Sequence, residues 1–340
     1  MQTILLTGIT GYIAKHIAAQ LLDAGYAVRG SMRSMKRVQE VNAAIAKGVS
    51  DPSVLTRLSF SELDLSKDIG WNNAAMGVDA IIHTASPFPM TAPKDENELI
   101  KPAVDGMMRA IKAAAEAQVD RVIITSSTAA ISGSPLPQGK EAYDEADWTN
   151  TEEKGVGAYA KSKTLAERAA WDFVETQASQ IKLTSINPGF VLGAPLDAQY
   201  GTSVAVIERI LRGKDPMVPD IGWNSVGLKD VAALHVKALQ DDGSIGQRIM
   251  GVDRFVAFVE LAEWIKAEYP NRRIATKVAP HLLIKTLGLF DPAVREITSQ
   301  LGVVQKADNA KATELLGREF SDVKESVLET ARYLVEKEIV

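Results

Sequence analysis

The sequence predicts an α/β protein, a doubly wound parallel sheet joined to a smaller, mainly C-terminal lobe. Short apolar runs alternate with longer helix-patterned segments through the first half, the rhythm of strands linked by crossover helices. A glycine turn at Gly8 follows the first run at once, and the rhythm stops after Asn187-Pro188-Gly189. At 340 residues the chain can bury a sizeable core, and 46% hydrophobic with 24% charged residues is the balance of a water-soluble globular protein.

The first strand is expected over residues 3–7, an apolar run cut short by Gly8. A helix over 12–24 follows, with apolar residues at helical spacing. Further strands are expected over 27–31, 58–61, 80–84, 121–126 and 182–187, and helices near 37–47, 69–75, 96–117 and 158–179. In a doubly wound sheet, ligands bind at the carboxyl ends of the strands. Beyond Gly189, the residues Pro195, Gly201, Gly213, Pro216, Pro219 and Gly222 mark loops around one helix, about 203–212. A strand and helix around 227–239 return to the main body, and helices near 256–268, 308–315 and 322–337 complete the lobe. No internal repeat, low-complexity tract or linker is visible.

Charge and composition exclude several classes. A net charge of -5 gives no reason to expect nucleic-acid or anionic-membrane binding. The absence of cysteine excludes disulfides, thiolate catalysis and Cys-ligated metals. His16, His83, His235 and His281 are scattered without ligand spacing, so no metal site is expected. Met1-Gln2-Thr3 runs straight into a strand, and no apolar run reaches the ~18 residues needed to span a bilayer. The expected location is cytoplasmic.

Thr7-Gly8-Ile9-Thr10-Gly11-Tyr12-Ile13-Ala14 carries the first chemical signal. Gly8 and Gly11 let the backbone turn and then approach a pyrophosphate, while the helix starting near Tyr12 and Ile13 aims its amides and positive dipole end at it. Ala14 stands where a third glycine is usual and still permits close helix packing. The end of the second strand reads Arg29-Gly30-Ser31-Met32-Arg33-Ser34-Met35-Lys36-Arg37, cations with no carboxylate to hold ribose hydroxyls. That suits a 2'-phosphate, with Arg33 the best candidate because a guanidinium grips phosphate oxygens in pairs, and Lys36 nearby. Asp64 and Leu65 after the third strand could contact the adenine, although Asp64 also reads as a helix cap. Small residues at Thr84, Ala85 and Ser86 would let the dinucleotide backbone pass. The division that follows is a dinucleotide-binding domain over 1–190, with a return segment about 226–250, and a lobe from 191–225 and 251–340.

Tyr159 and Lys163 supply the second signal. Residues four apart share a helix face, so both can enter one site. An ammonium beside a phenol favours the phenolate and lowers a pKa that starts near ~10. A hydroxyl from Ser127 could hold a substrate oxygen within reach of that phenol.

With these residues on the page, the chain resembles an extended short-chain dehydrogenase/reductase over nearly its full length. Within that superfamily it looks like the group of dihydroflavonol reductases, cinnamoyl-CoA reductases and microbial NADPH-dependent aldehyde-ketone (methylglyoxal) reductases. The resemblance lies in residues 7–16 and 29–34, His83-Thr84-Ala85-Ser86-Pro87-Phe88, Arg121 to Ser127, Tyr159 with Lys163, and Asn187-Pro188-Gly189-Phe190-Val191. It implies a Rossmann-type fold, NADP(H) as cofactor with Arg33 reading the 2'-phosphate, and a catalytic trio of Ser127, Tyr159 and Lys163. It also implies that Lys163 holds the nicotinamide ribose, that Thr125 borders the cofactor, and that Pro188, Gly189, Phe190 and Val191 border the nicotinamide. Ser126 and Thr128 compete with Ser127 as the hydroxyl donor; family register points to Ser127, and strand alternation puts Ser126 on the opposite face.

The expected activity is reduction of an aldehyde or ketone to the alcohol, by a monomer or homodimer acting on a small-molecule carbonyl substrate. Candidate pocket residues are Phe88, Met90, Phe190, Tyr200 and Trp223, with Ser127 at the reacting oxygen. One rival is an NAD-dependent sugar-nucleotide epimerase/dehydratase or hydroxysteroid dehydrogenase. A second is a non-catalytic dinucleotide-sensing protein, which has no need of Ser127, Tyr159 and Lys163 together.

Overall fold

The computed structural model describes residues 1–86 and 95–340, so the expected pocket residues Phe88 and Met90, with Pro87, lie outside the described residues. The chain begins with β1 (Thr3–Thr7), α1 (Tyr12–Asp23), β2 (Ala27–Met32), α2 (Val38–Ile45), β3 (Leu58–Glu62), α3 (Trp71–Ala75) and β4 (Ala80–His83). It continues through α4 (Asn97–Glu116), β5 (Arg121–Thr125), the one-turn α5 (Ala129–Ser132), α6 (Ala158–Gln177) and β6 (Lys182–Pro188). Then come β7 (Phe190–Leu192), α7 (Thr202–Arg212), β8 (Gly222–Gly227), α8 (Leu228–Gln240), β9 (Arg248–Gly251), β10 (Arg254–Ala257) and α9 (Phe258–Glu268). The chain closes with α10 (His281–Leu287), α11 (Pro292–Ile297), α12 (Ala310–Leu316) and α13 (Val323–Glu336).

Seven strands form one sheet in the order β3-β2-β1-β4-β5-β6-β9, every pair parallel. Strand order reverses between β1 and β4, and in open α/β sheets the crevice at such a reversal is the ligand site. One face of the sheet is covered by α1, α2, α8 and α12, the other by α3, α4 and α6. The sequence explains α1 directly. Ala14, Ile17, Ala18, Leu21 and Leu22 recur at i, i+3, i+4, i+7 and i+8, and all are buried.

A second sheet of three strands, β10-β8-β7, has β7 parallel and β10 antiparallel to β8. Strand alternation gives it two faces. Leu192 and Val256, with Phe190 and Trp223 half-buried beside them, face an apolar cluster built from α7, α9 and α13. Val191 and Val226 face the other way and pack on Tyr12 and Ile13 of α1. The small sheet is therefore the plate that sets the lobe against the start of α1. Buried Lys15 of α1 reinforces the join by pairing with Asp197, beyond β7.

Three expectations needed correction. The return segment reaches the main sheet as a seventh strand, β9, a four-residue run opened by Arg248 that has no strand pattern of its own. The strand expected around 227 as part of the return to the main body lies earlier, at Gly222–Gly227, and belongs to the small sheet, so the return begins with α8 at Leu228. Val256 belongs to β10, and α9 starts only at Phe258.

Candidate active site

The floor of the cleft is knitted from the ends of β1 and β4. Gly8 has φ +68°, and a Cβ there would lie 2.8 Å from the Ala85 Cβ and 3.0 Å from its Cα, so only glycine fits. Its carbonyl accepts from the Gly11 amide at 2.8 Å, closing the turn. Around it, Thr7 Oγ1 bonds His83 Nδ1 at 2.9 Å and accepts from the Ala85 amide at 3.3 Å, while Thr84 Oγ1 donates to the Thr7 carbonyl at 2.6 Å. Gly11 leads α1 in extended backbone, and among the described residues no side chain caps that helix. Its leading amides, from Tyr12 and Ile13 onward, are left for a ligand. The Tyr12 side chain is spent elsewhere: its hydroxyl donates to the Gly193 carbonyl at 2.6 Å, and burial holds the phenol well above its ordinary pKa.

These residues fit a dinucleotide. The turn has no room for a Cβ at Gly8, no described side chain caps the helix N-terminus, and the exposed Arg33 follows β2 directly. Arg33 is exposed, and no described residue hydrogen-bonds or ion-pairs with it; the same is true of Lys36. Arg37 by contrast is tied to Glu40 by bonds of 2.9 and 2.5 Å. Asp64 serves turn chemistry, since its Oδ1 accepts from the Ser66 amide at 3.0 Å and hydroxyl at 2.8 Å, which holds the carboxyl below its usual range. The Leu65 carbonyl accepts from Arg109 at 2.9 Å. Ser86 closes the described part of its loop, half-buried.

Ser127, Tyr159 and Lys163 come together from two elements. The amides of Ser126 and Thr128 donate to the Ile186 and Pro188 carbonyls at 2.8 and 2.9 Å, continuing the β5–β6 pairing past the strand end and placing Ser127 between them. A hydrogen bond joins the Ser127 hydroxyl to the Tyr159 phenol, and Ser127 Oγ also accepts from the Ala129 amide at 3.1 Å. One turn further along α6, the Lys163 ammonium lies 6.0 Å from the Tyr159 ring centroid. Ser127 and Lys163 are buried, and Tyr159 is half-buried.

Electrostatics here depart from the expectation that Lys163 lowers the phenol pKa. Burial raises the Tyr159 pKa, the Ser127 hydrogen bond pulls against it, and Lys163 is not among the groups that set it. Burial instead acts on the lysine, pushing Lys163 down to about 8 against the attraction of Glu167. The phenol therefore holds its proton at neutral pH while the lysine is still largely charged, an arrangement suited to giving a proton away.

Other expected residues are placed as follows. The Thr125 hydroxyl bonds His235 Nε2 at 2.8 Å, on α8. Gly189 passes so close to β8 that a Cβ would lie 2.0 Å from the Asn224 carbonyl oxygen. Phe190 stacks on Trp223 with centroids 4.6 Å apart, and Trp223 also meets Phe258 at 5.9 Å, so both contribute to the lobe's apolar cluster. Tyr200 packs on the same cluster, donates to Glu208 at 3.0 Å, and has its phenol pushed up to about 12 by burial and that carboxylate. Sequence reasoning passed over buried Glu167 and Arg248 and gave no role to Asn187, which it quoted only within the run to Val191; the three meet directly behind the trio. The signal for Glu167 was present, because 159, 163 and 167 form one helical stripe.

The sequence profile of the NAD dependent epimerase/dehydratase family matches residues 4–250. This chain belongs to that family. Among family relatives, it is 27% identical over 355 residues to the NADPH-dependent methylglyoxal reductase of Saccharomyces cerevisiae, covering 99% of each chain. It is 29% identical to a cinnamoyl-CoA reductase of Medicago truncatula, over 81% of this chain and 83% of that one. The crystal structure of yeast methylglyoxal/isovaleraldehyde reductase complexed with NADPH superposes with a TM-score of 0.80 at 25% identity, over 100% of both chains. A Candida albicans reductase structure, also an NADPH complex, gives 0.80 at 27% identity and 99% coverage of each. Among the described residues, no helix is long and apolar enough to cross a membrane.

Proposed function

We propose that the chain is an NADP(H)-dependent carbonyl reductase in which Tyr159 gives its proton to the oxygen of an aldehyde or ketone. The observation that carries this is the hydrogen-bonded Ser127–Tyr159 pair, with Lys163 one turn away on the same helix. The cofactor follows from the relatives, which are named as NADPH-dependent or solved with NADPH, and from the unpaired Arg33 at the end of β2. Bound NADPH supplies the hydride. Ser127 hydrogen-bonds the same carbonyl oxygen and holds it against the phenol. Tyr159, kept protonated by its burial, donates to that oxygen as negative charge develops on it. Lys163, an ammonium below about pH 8, supplies the positive charge of the site one turn along the same helix.

The family's name points to a rival, an epimerase or dehydratase that retains NAD. The second strand argues against it, because Arg33 follows it directly, with no acidic residue there to hold adenosine ribose hydroxyls. Initial rates with NADPH and NADH across aldehydes, 2-oxo aldehydes, aryl ketones, 3-oxo esters and dihydroflavonols test the reading. Turnover with NADPH exceeding that with NADH supports it. Tight NADPH binding with no turnover on any carbonyl would sink it.

A further inference from the structure

Glu167 is the third residue of the stripe that carries Tyr159 and Lys163. It is fully buried, and its carboxylate accepts from Ser126 Oγ at 2.5 Å, Asn187 Nδ2 at 2.7 Å, and Arg248 Nε and Nη2 at 2.7 and 3.4 Å. Trp171 Nε1 adds a bond at 3.4 Å. Asn187 Nδ2 also donates to the Ser127 carbonyl at 3.2 Å. Arg248, itself buried, is clamped by the Glu145 and Asp147 carbonyls at 2.8 and 2.6 Å and lies 3.7 Å over the Trp148 ring.

The three residues of the site arise from two separate pieces, Ser127 from the loop after β5 and the Tyr159–Lys163 pair from α6. Glu167 grips that loop twice, at the Ser126 side chain and, through Asn187, at the Ser127 backbone. A buried ion pair is a weak source of net stability, because desolvating two charges offsets their attraction. Fixing one geometry is the better use of such a pair. We propose that the buried Glu167–Arg248 pair is the positioning device of this site, locking the Ser127 loop to α6 and keeping a negative charge one turn from Lys163.

This inference rests on the carbonyl-reductase reading of the same site. The titratable and charged groups packed around Lys163 are Tyr159 and Glu167 on its own helix, His83 at the end of β4, and Arg248 of β9 behind Glu167. His83 is buried and neutral, at about 3, and Glu96, just before α4, is spent on Lys161 at 2.7 Å. Glu167 is the charge that raises the Lys163 pKa against burial.

Glu167→Gln keeps the shape and removes the charge, and Glu167→Gln with Arg248→Gln leaves no unpaired charge should the single variant fold poorly. Three quantities are read: kcat and its pH profile, NADPH Kd, and the Lys163 pKa by NMR of 13Cε-labelled lysine in cofactor-free protein. Expected in both variants are a kcat loss of roughly tenfold to a hundredfold, the scale of a small misplacement of reacting groups, and NADPH Kd within about threefold. The Lys163 pKa falls by roughly half a unit to one unit, and the basic limb of kcat follows it. Ala170→Gly, on the same helix away from the network, controls for loss of helix stability and should leave kcat and the Lys163 pKa alone. An unchanged kcat and Lys163 pKa in the Glu167 variants would overturn the inference, as would Ala170→Gly reproducing their losses. Absence of carbonyl turnover in the unsubstituted enzyme would instead strike the reductase reading, while the NMR titration still judges the Glu167 charge.

Discussion

Replacing Arg33 with alanine isolates the reading of the cofactor's 2'-phosphate from everything else. Arg33 is exposed, makes no hydrogen bond or ion pair with a described residue, and only weakly favours the Asp64 carboxylate, so Arg33→Ala should leave the melting temperature within about a degree or two. A hydrogen bond to a charged group contributes about 1.5–3 kcal/mol. At ~1.4 kcal/mol per factor of ten, that is roughly a 10- to 150-fold rise in the NADPH Kd. Exposure and salt screening place the expected value nearer the lower end in physiological buffer, rising as ionic strength falls. NADH lacks the phosphate, and its Kd should stay within about twofold. Fluorescence titration with both cofactors at two salt concentrations reads all of this. Equal losses for NADPH and NADH, or none for NADPH, would remove Arg33 from the phosphate and leave the equally unpaired Lys36 as its reader.

Ser127→Ala removes the hydrogen-bond partner of the phenol; kcat should fall about a hundredfold, the effect of losing one donor to a developing oxyanion, with NADPH affinity unchanged. A loss confined to KM would show that Ser127 only binds substrate. Acid should weaken the fold through His83 and His235, which burial holds at about 3 and about 4. The unfolded chain protonates these rings near pH ~6.5, so their stabilisation is whole above that value and is lost as pH falls toward the folded values. From pH 7 to pH 5 the loss is roughly 2 kcal/mol per histidine. Urea unfolding at the two pH values checks it, and identical stabilities would contradict the neutral assignment.

The legible part of the sequence was the part whose residues act locally. Strands β1, β4 and β5 are short apolar runs ended by turn residues, and the expected bounds of β1 to β6 fell within a residue or so of those found. The glycine turn was legible because a positive φ at Gly8 and a close approach to Ala85 leave few other residues to choose from. The small sheet was hidden. Three-residue β7 and polar β8, Gly222-Trp223-Asn224-Ser225, have no periodicity of their own and exist because they pair across the chain. Trp223 and Tyr200 therefore read equally as pocket or packing residues, and their contacts in the structure are those of packing. Glu167 and Arg248, 81 residues apart, illustrate the same limit, because a buried charge reads as a solvated one until the fold brings its partner. Burial, opposed by Ser127, sets the phenol pKa in place of the expected effect of Lys163, an outcome that spacing alone does not reveal.

The proton from Tyr159 is the centre of this account, and single-turnover NADPH oxidation by Tyr159→Phe, with the best carbonyl substrate in excess, tests it most directly. The account predicts a hydride-transfer rate lower by at least about a hundredfold, the usual share of a positioned acid, with the NADPH Kd within about twofold of the unsubstituted enzyme. A rate that survives the loss of the hydroxyl, or a cofactor affinity that collapses with it, would show that Tyr159 holds the site together and does no proton chemistry.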